Sequence, residues 1–241
     1  MSEELQPAGG QAQPLIEHLL ELRRRLVWAV LGIAVCFFAI VPFAQTLYSF
    51  VAQPLMSVLP NNTSMIATDV IAPFFVPIKV ALMAAFLAAL PNTLYQIWAF
   101  VAPALYQNEK RLIVPLILSS IILFAAGMAF CYFLVFPMVF KFFAGMTPLG
   151  VSMATDIDKY LSFVLGMFVA FGLTFEIPVA VVLLYRMGVI TYHQLTAARP
   201  YLIVASFIIA AVVTPPDVLS QIMLAVPMIL HWSESIQFAG I

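Results

Sequence analysis

The sequence predicts an all-α polytopic membrane protein whose six spanning helices form a concave, cup-like bundle. Three observations predict it. The 241 residues are 64% apolar and only 9% charged, where a soluble domain carries about a quarter charged residues; such a chain cannot cover itself with polar surface and takes lipid as its solvent. Six apolar stretches recur along it, none with the apolar–polar alternation of a membrane barrel, and backbone satisfaction in hydrocarbon then demands helices. Seventeen prolines, many inside or at the ends of those stretches, predict curved helices around a concavity rather than a straight bundle.

The segment 1–13 is polar, contains Pro7, Gly9 and Gly10, and reads as a disordered tail; residues 14–241 read as one membrane domain. Pro14 opens "PLIEHLLELRRRL", in which Leu15, Ile16, Leu19, Leu22 and Leu26 recur at helical spacing. Glu17, Glu21, Arg24 and Arg25 lie within two turns of each other, giving an amphipathic interfacial helix that runs into the first span, about 26–44. Its acidic face is either one half of local ion pairs or a docking face for a cationic partner, with Glu21 as the carboxylate. Three arginines before an apolar run also open a secretory leader, but this run is longer than a cleavable one, so it is read as retained.

The second span covers about 72–98 and the third about 112–140, long enough to tilt or protrude. Between them "WAFVAPALYQNEKRL" brings interfacial aromatics and Glu109, which either pairs with Lys110 and Arg111 or, sharing a side with Glu21, meets a ligand carrying two positive charges. The fourth span, about 160–184, contains Glu176 in "FGLTFEIPVAVV". A carboxylate at that depth costs about 2.5–3.5 kcal/mol on insertion scales and is functional by default. The fifth and sixth spans, about 200–213 and 218–232, are short: about 15 residues reach roughly 22 Å, less than a core of about 30 Å, which predicts local bilayer thinning. Between them "VVTPPDVLSQ" forces a tight break, with Asp217 placed to cap the next helix and Thr214 and Gln221 placing polar groups beside it.

Seven of the ten Lys and Arg residues (Arg23, Arg24, Arg25, Lys110, Arg111, Arg186, Arg199) fall on one side, and only Lys79, Lys141 and Lys159 on the other. The bias places both termini in the cytoplasm. Cys36 and Cys131 lie in apolar runs and read as small hydrophobes. No zinc motif, nucleophile elbow or phosphate loop is present, so neither enzyme chemistry nor a metal or other cofactor is expected, and nothing points to nucleic acid. A proton-coupled transporter of a small solute, with Glu176 as relay, is the main alternative; the internal repeat common in such folds is not evident.

The strings "HLLELRRRL", "MIATDVIAPFFVPIKV", "YQIWAFVAPALYQNEKRL", "FPMVFKFF", "YLSFVLGMFVAFGLTFEIPVAVVLL", "RPYLIVASF" and "TPPDVLSQ" together resemble the TatC family, the polytopic subunit of the twin-arginine translocase, over about residues 14–227. The resemblance implies a cup-like six-span bundle in the bacterial inner membrane. It further implies recognition of Arg-Arg signal peptides on folded cargo, assembly with TatB, TatA and other copies of itself, and transport driven by the proton-motive force. Glu21 and Glu109 match the family's signal-binding acids, Arg23 and Phe100 neighbouring functional positions, Pro54 a functional position in the first outer loop, and Glu176 the mid-membrane carboxylate. Thr214 and Gln221 match a polar site for TatB or TatA whose third member falls at Ala211, where related sequences carry Met. After Pro227, "MILHWSESIQFAGI" departs from the family's apolar continuation and charged tail, which predicts a shortened sixth span or a chain altered there.

Overall fold

The computed structural model describes residues 12–58, 65–101, 113–146, 154–186, 188, 190–214 and 217–239. Among them the elements are helical, and the sheet-like feature is a lone parallel bridge between Ile66 and Asp156. Glu109 and most of the tail lie outside the described residues.

Helix α1 (Ala12–Ile40) is continuous over 29 residues, roughly 44 Å at 1.5 Å per residue. That exceeds a core of about 30 Å, so the interfacial segment and the first span are one rod. Ile16, Leu19, Leu22 and Leu26 are exposed; the apolar stripe is not covered by protein and suits lipid.

Three of the breaks between rods fall beside a proline, which lacks an N–H and whose ring crowds the carbonyl four residues back. Pro42 sits in a single tight turn, Val41–Phe43, that separates α1 from α2 (Ala44–Met56). Pro91 follows the junction of α3 (Ala72–Ala88) and α4 (Leu90–Val101), which meet at 56°. Ahead of Pro137 the chain widens by one residue: α5 (Ile113–Phe130) passes through a wide turn, Cys131–Val135, into α6 (Phe136–Gly145), and the Phe136 N–H reaches the Cys131 carbonyl five residues back. The wide turn lets Pro137 enter as an early residue of α6, where its missing N–H matters little.

Helix α7 (Ile157–Arg186) spans 30 residues and is the centre of the bundle. The main core forms where α2, α3, α6, α7 and α9 (Val218–Ala239) converge on the wide turn, with Val76, Val135, Phe136, Leu161, Met167, Phe171 and Leu224 fully or almost fully buried. Helices α5 and α7 approach closely. A Cβ on Gly127 would stand 2.6 Å from the Phe171 carbonyl oxygen, so only glycine lets the backbones meet there.

Helix α8 (Tyr192–Val213) begins eight residues before Pro200. Thr191 accepts from the Gln194 N–H while Gln194 accepts from the Thr191 N–H, a capping box that starts the helix in polar sequence. The expected short stretch at 200–213 is the apolar part of a 22-residue helix: hydropathy reports apolarity, whereas the cap decides where helix begins. Among the described residues, four segments are long and apolar enough to cross a membrane, at 16–56, 114–145, 157–185 and 192–212, and the bent α3–α4 pair supplies a fifth. Helix α9 lies against α7 and α8 as the sixth rod. The exposed Phe38, Tyr201 and Val212 face outward from the rods, as a lipid-solvated surface requires.

Candidate functional site

A cavity of about 730 Å³ opens between α1 and α4, and its described lining is Leu20, Glu21, Arg24, Arg25, Trp28 and Gln96. Helical periodicity explains the α1 contribution, since positions 21, 24, 25 and 28 share one face. Asn92 on α4 ties the helices by donating to the Trp28 carbonyl at 3.1 Å. Phe100 stacks on His18, ring centroids 4.4 Å apart at 24°. His18 is one turn before Glu21, so the structure brings Phe100 to the Glu21 face. Arg23 is exposed and, at about 200° from Glu21 around the helix, belongs to another face.

Glu21 is engaged. Arg25 donates to its Oε1 from Nη2 at 2.7 Å and from Nε at 3.0 Å. Both bonds end on one oxygen, so the second keeps its accepting capacity. The described lining holds two guanidinium groups and one carboxylate. Such a cavity takes a cation only by exchange with Arg25 or with a further acid at its mouth.

Glu176 lies half-buried on α7, opposite Ser120 of α5; neither Glu176 Oε1 nor the Ser120 hydroxyl completes a hydrogen bond in good geometry. A third group of predicted residues surrounds the α8–α9 junction. The Thr214 hydroxyl donates to the Ala210 carbonyl at 2.8 Å, and Gln221 Nε2 donates to the Phe207 carbonyl at 3.2 Å, joining α9 to α8. Asp217 caps α9 by accepting from the Ser220 N–H at 2.7 Å, as its position in the sequence suggests. Ala211 is exposed beside them.

Pro54 is buried inside α2. Its ring denies the Phe50 carbonyl its helical donor, and the Tyr132 hydroxyl from the wide turn donates to that carbonyl at 2.9 Å. The Tyr160 hydroxyl of α7 donates to the neighbouring Val51 carbonyl at 2.8 Å. Sequence reasoning singled out Pro54 and missed both tyrosines, whose partners lie 82 and 109 residues away.

It also missed Asp156. This carboxylate caps α7, accepting from the Asp158 and Lys159 N–H groups at 2.9 and 3.0 Å, and reaches across to the Thr68 N–H at 2.9 Å and hydroxyl at 2.5 Å. The Thr68 hydroxyl, with the N–H groups of Lys159, Thr68 and Asp158, holds the carboxyl well below the usual carboxylate range against the opposing effect of burial. Lys79 pairs with Asp158 alongside, at 2.5 Å. The two loop segments on this side are thereby joined. An Asp just ahead of an apolar run signals the cap; nothing local signals Thr68.

Comparison with known proteins agrees with this architecture. Residues 17–227 match the family described as Sec-independent protein translocase protein (TatC). The chain is 52% identical over 220 residues to the Sec-independent protein translocase protein TatC of Haemophilus influenzae, covering 91% of this chain and 86% of that one. It is 51% identical over 216 residues to the protein of that name from Escherichia coli, covering 90% and 84%. Among solved structures it superposes on a crystal structure of the twin arginine translocase receptor TatC with a TM-score of 0.82 and 39% identity, over 92% of this chain and 98% of that one. An all-helical polytopic membrane fold, this degree of identity and this coverage lead to one conclusion: the chain belongs to the TatC family of Sec-independent protein translocase proteins.

Proposed function

We propose that the α1–α4 cavity receives the Arg-Arg motif of signal peptides on folded precursor proteins, and that the chain nucleates an export complex with TatB, TatA and further copies of itself. The single observation that carries this reading is the Glu21 carboxylate, partly exposed in the α1–α4 cavity and near Phe100. A guanidinium pair favours planar carboxylates and binds them bidentately. One incoming arginine takes the place of Arg25 on Glu21, Glu109 takes the second, and Arg23 acts at the edge of the same segment. Pro54 and Glu176 shape the outer loop and the membrane-embedded face, and Ala211, Thr214, Asp217 and Gln221 form the surface for the single-span subunits.

In this reading the chain lies in the bacterial inner membrane, with both termini in the cytoplasm and a proton-motive drive; the charge bias supports the orientation, and the resemblance to the family supports the rest. The relatives are named as protein translocase proteins, which favours this reading over proton-coupled uptake of a small solute. The test is site-specific crosslinking to a twin-arginine signal peptide in membranes: Glu21→Ala and Glu109→Gln each reduce the adduct, and the double variant abolishes it. Undiminished crosslinking and export in the double variant overturn the proposal.

A further inference from the structure

A separate cavity of about 120 Å³ lies between α8 and α9, lined by Arg199, Leu202, Ile203, Ser206, Ile229, Trp232 and Ser233. Its chemistry is unusual for a helix–helix contact. The Trp232 Nε1–H is buried without an acceptor, which in a membrane protein is an unfavourable state for a donor. Arg199 takes part in none of the ion pairs among the described residues. Ser233 adds a hydroxyl, while the Ser206 hydroxyl is already committed to the Leu202 carbonyl at 2.7 Å. No carboxylate lines the cavity among the described residues; Glu234 faces a different groove, together with His231. The donors outnumber the acceptors, and the charge is positive, so the missing partner is an anion with several acceptor oxygens.

Depth identifies its source. Arg199 lies about 15 residues from the junction end of α8 and Trp232 about 14 from the start of α9, so both sit roughly 21–22 Å along antiparallel rods. That level is where the apolar stretches end, and Arg and Trp are the side chains that favour the headgroup boundary. A soluble anion has no reason to be there, whereas lipid phosphate is at that boundary in every membrane. Basic pockets between spanning helices are a recognised mode of headgroup binding.

We propose that α8 and α9 bind the phosphodiester of one membrane phospholipid, its oxygens accepting from the Arg199 guanidinium, the Trp232 Nε1–H and the Ser233 hydroxyl, while its acyl chains lie on Ile203 and Leu202. Since the rods reach this level about 8 Å short of a core of about 30 Å, the bound headgroup is drawn inward and thins the bilayer locally. The lipid is thus a structural element of the surface that α8 and α9 present.

The full chain, purified from nanodiscs of phosphatidylcholine with or without phosphatidylglycerol, tests this by native mass spectrometry of retained phospholipid. Retention falls roughly tenfold for Arg199→Gln, as loss of a charge-assisted bond predicts, and about two- to fivefold for Trp232→Phe, which keeps the ring and removes only the N–H. Lys141→Gln, on the other side of the membrane, retains lipid as the parent does. If Arg199→Gln unfolds, Trp232→Phe carries the test, with unchanged thermal unfolding as its control. Equal retention in the parent and in Trp232→Phe overturns the proposal. So does a parent that retains no lipid but is stabilised by inorganic phosphate, which would make the ligand a soluble anion.

Discussion

Removing the Tyr132 hydroxyl exposes the logic of Pro54. Tyr132→Phe keeps the ring stacked on Phe50, at a centroid distance of 4.7 Å and 9°, and deletes the donor to the Phe50 carbonyl at 2.9 Å, together with its longer, weaker contact to Gln53 Oε1 at 3.5 Å. A neutral hydrogen bond of this kind contributes about 1 kcal/mol, with an average nearer ~0.6 between membrane helices. In the parent the carbonyl has no substitute, because Pro54 has no N–H. In a Pro54→Ala background the substituted residue regains an N–H that donates to the carbonyl along the helix, so deleting the hydroxyl costs almost nothing. The double-mutant cycle therefore carries a coupling of about 0.6–1 kcal/mol, nearly the whole effect of the single change. For a chain of this size that is a fall in Tm of about 1–4 °C in the parent background, and under about 1 °C in Pro54→Ala. The fully buried Cys131 supplies the assay: thermal exposure of its thiol in detergent to a thiol-reactive fluorophore, with Cys36→Ser setting the baseline. Equal shifts in the two backgrounds would refute the argument that Tyr132 replaces the donor proline removes.

Gly127→Ala pushes a methyl against the Phe171 backbone, which cannot rotate away, so it destabilises the α5–α7 pair by about 1–3 kcal/mol, read as a lower Tm in the same assay. Arg25→Gln frees Glu21; an i,i+4 pair is worth about 0.3–0.5 kcal/mol, so twin-arginine peptide crosslinks about twofold better, and weaker crosslinking would show that Arg25 assists rather than competes. The Asp156 link depends on acid in a defined direction. Its folded pKa is depressed, so its stabilising effect is full above the ordinary carboxylate pKa of about 3.9 and is lost as pH falls below that value. Hydrogen exchange at Thr68 and Lys159 accordingly stays slow from neutral pH down to about 4 and quickens below it, while Asp156→Ala exchanges fast throughout.

Composition determined the solvent of this protein, with 64% apolar residues, and the absence of apolar–polar alternation then left helices as the way to satisfy the backbone. Proline content predicted curved helices, but not which proline would break one: breaks fall beside Pro42, Pro91 and Pro137, while Pro54, Pro77, Pro178, Pro200 and Pro227 lie inside helices. The Asp217 cap was legible because donor and acceptor are three residues apart. Glu176 stood out because charge is rare in its surroundings. Hydropathy misplaces the start of α8, because its first eight residues are polar yet helical.

Tertiary structure decided which groups meet. Phe100 reaches α1 through His18 only because α3 and α4 bend by 56°. Glu21, read from sequence either as half of a local ion pair or as a docking carboxylate, is found paired with Arg25; sequence spacing allows that pair but does not choose it over one with Arg24. Thr214 and Gln221, expected as polar handholds, already donate to carbonyls of α8, leaving the Gln221 carbonyl oxygen as the acceptor for a neighbour. The links from Tyr132, Tyr160 and Asp156 span 82, 109 and 88 residues of chain. Helical periodicity fixes which face of a rod a residue occupies, but each of these bonds depends on how two rods are placed and turned against each other, and packing at close approaches such as Gly127 sets that placement.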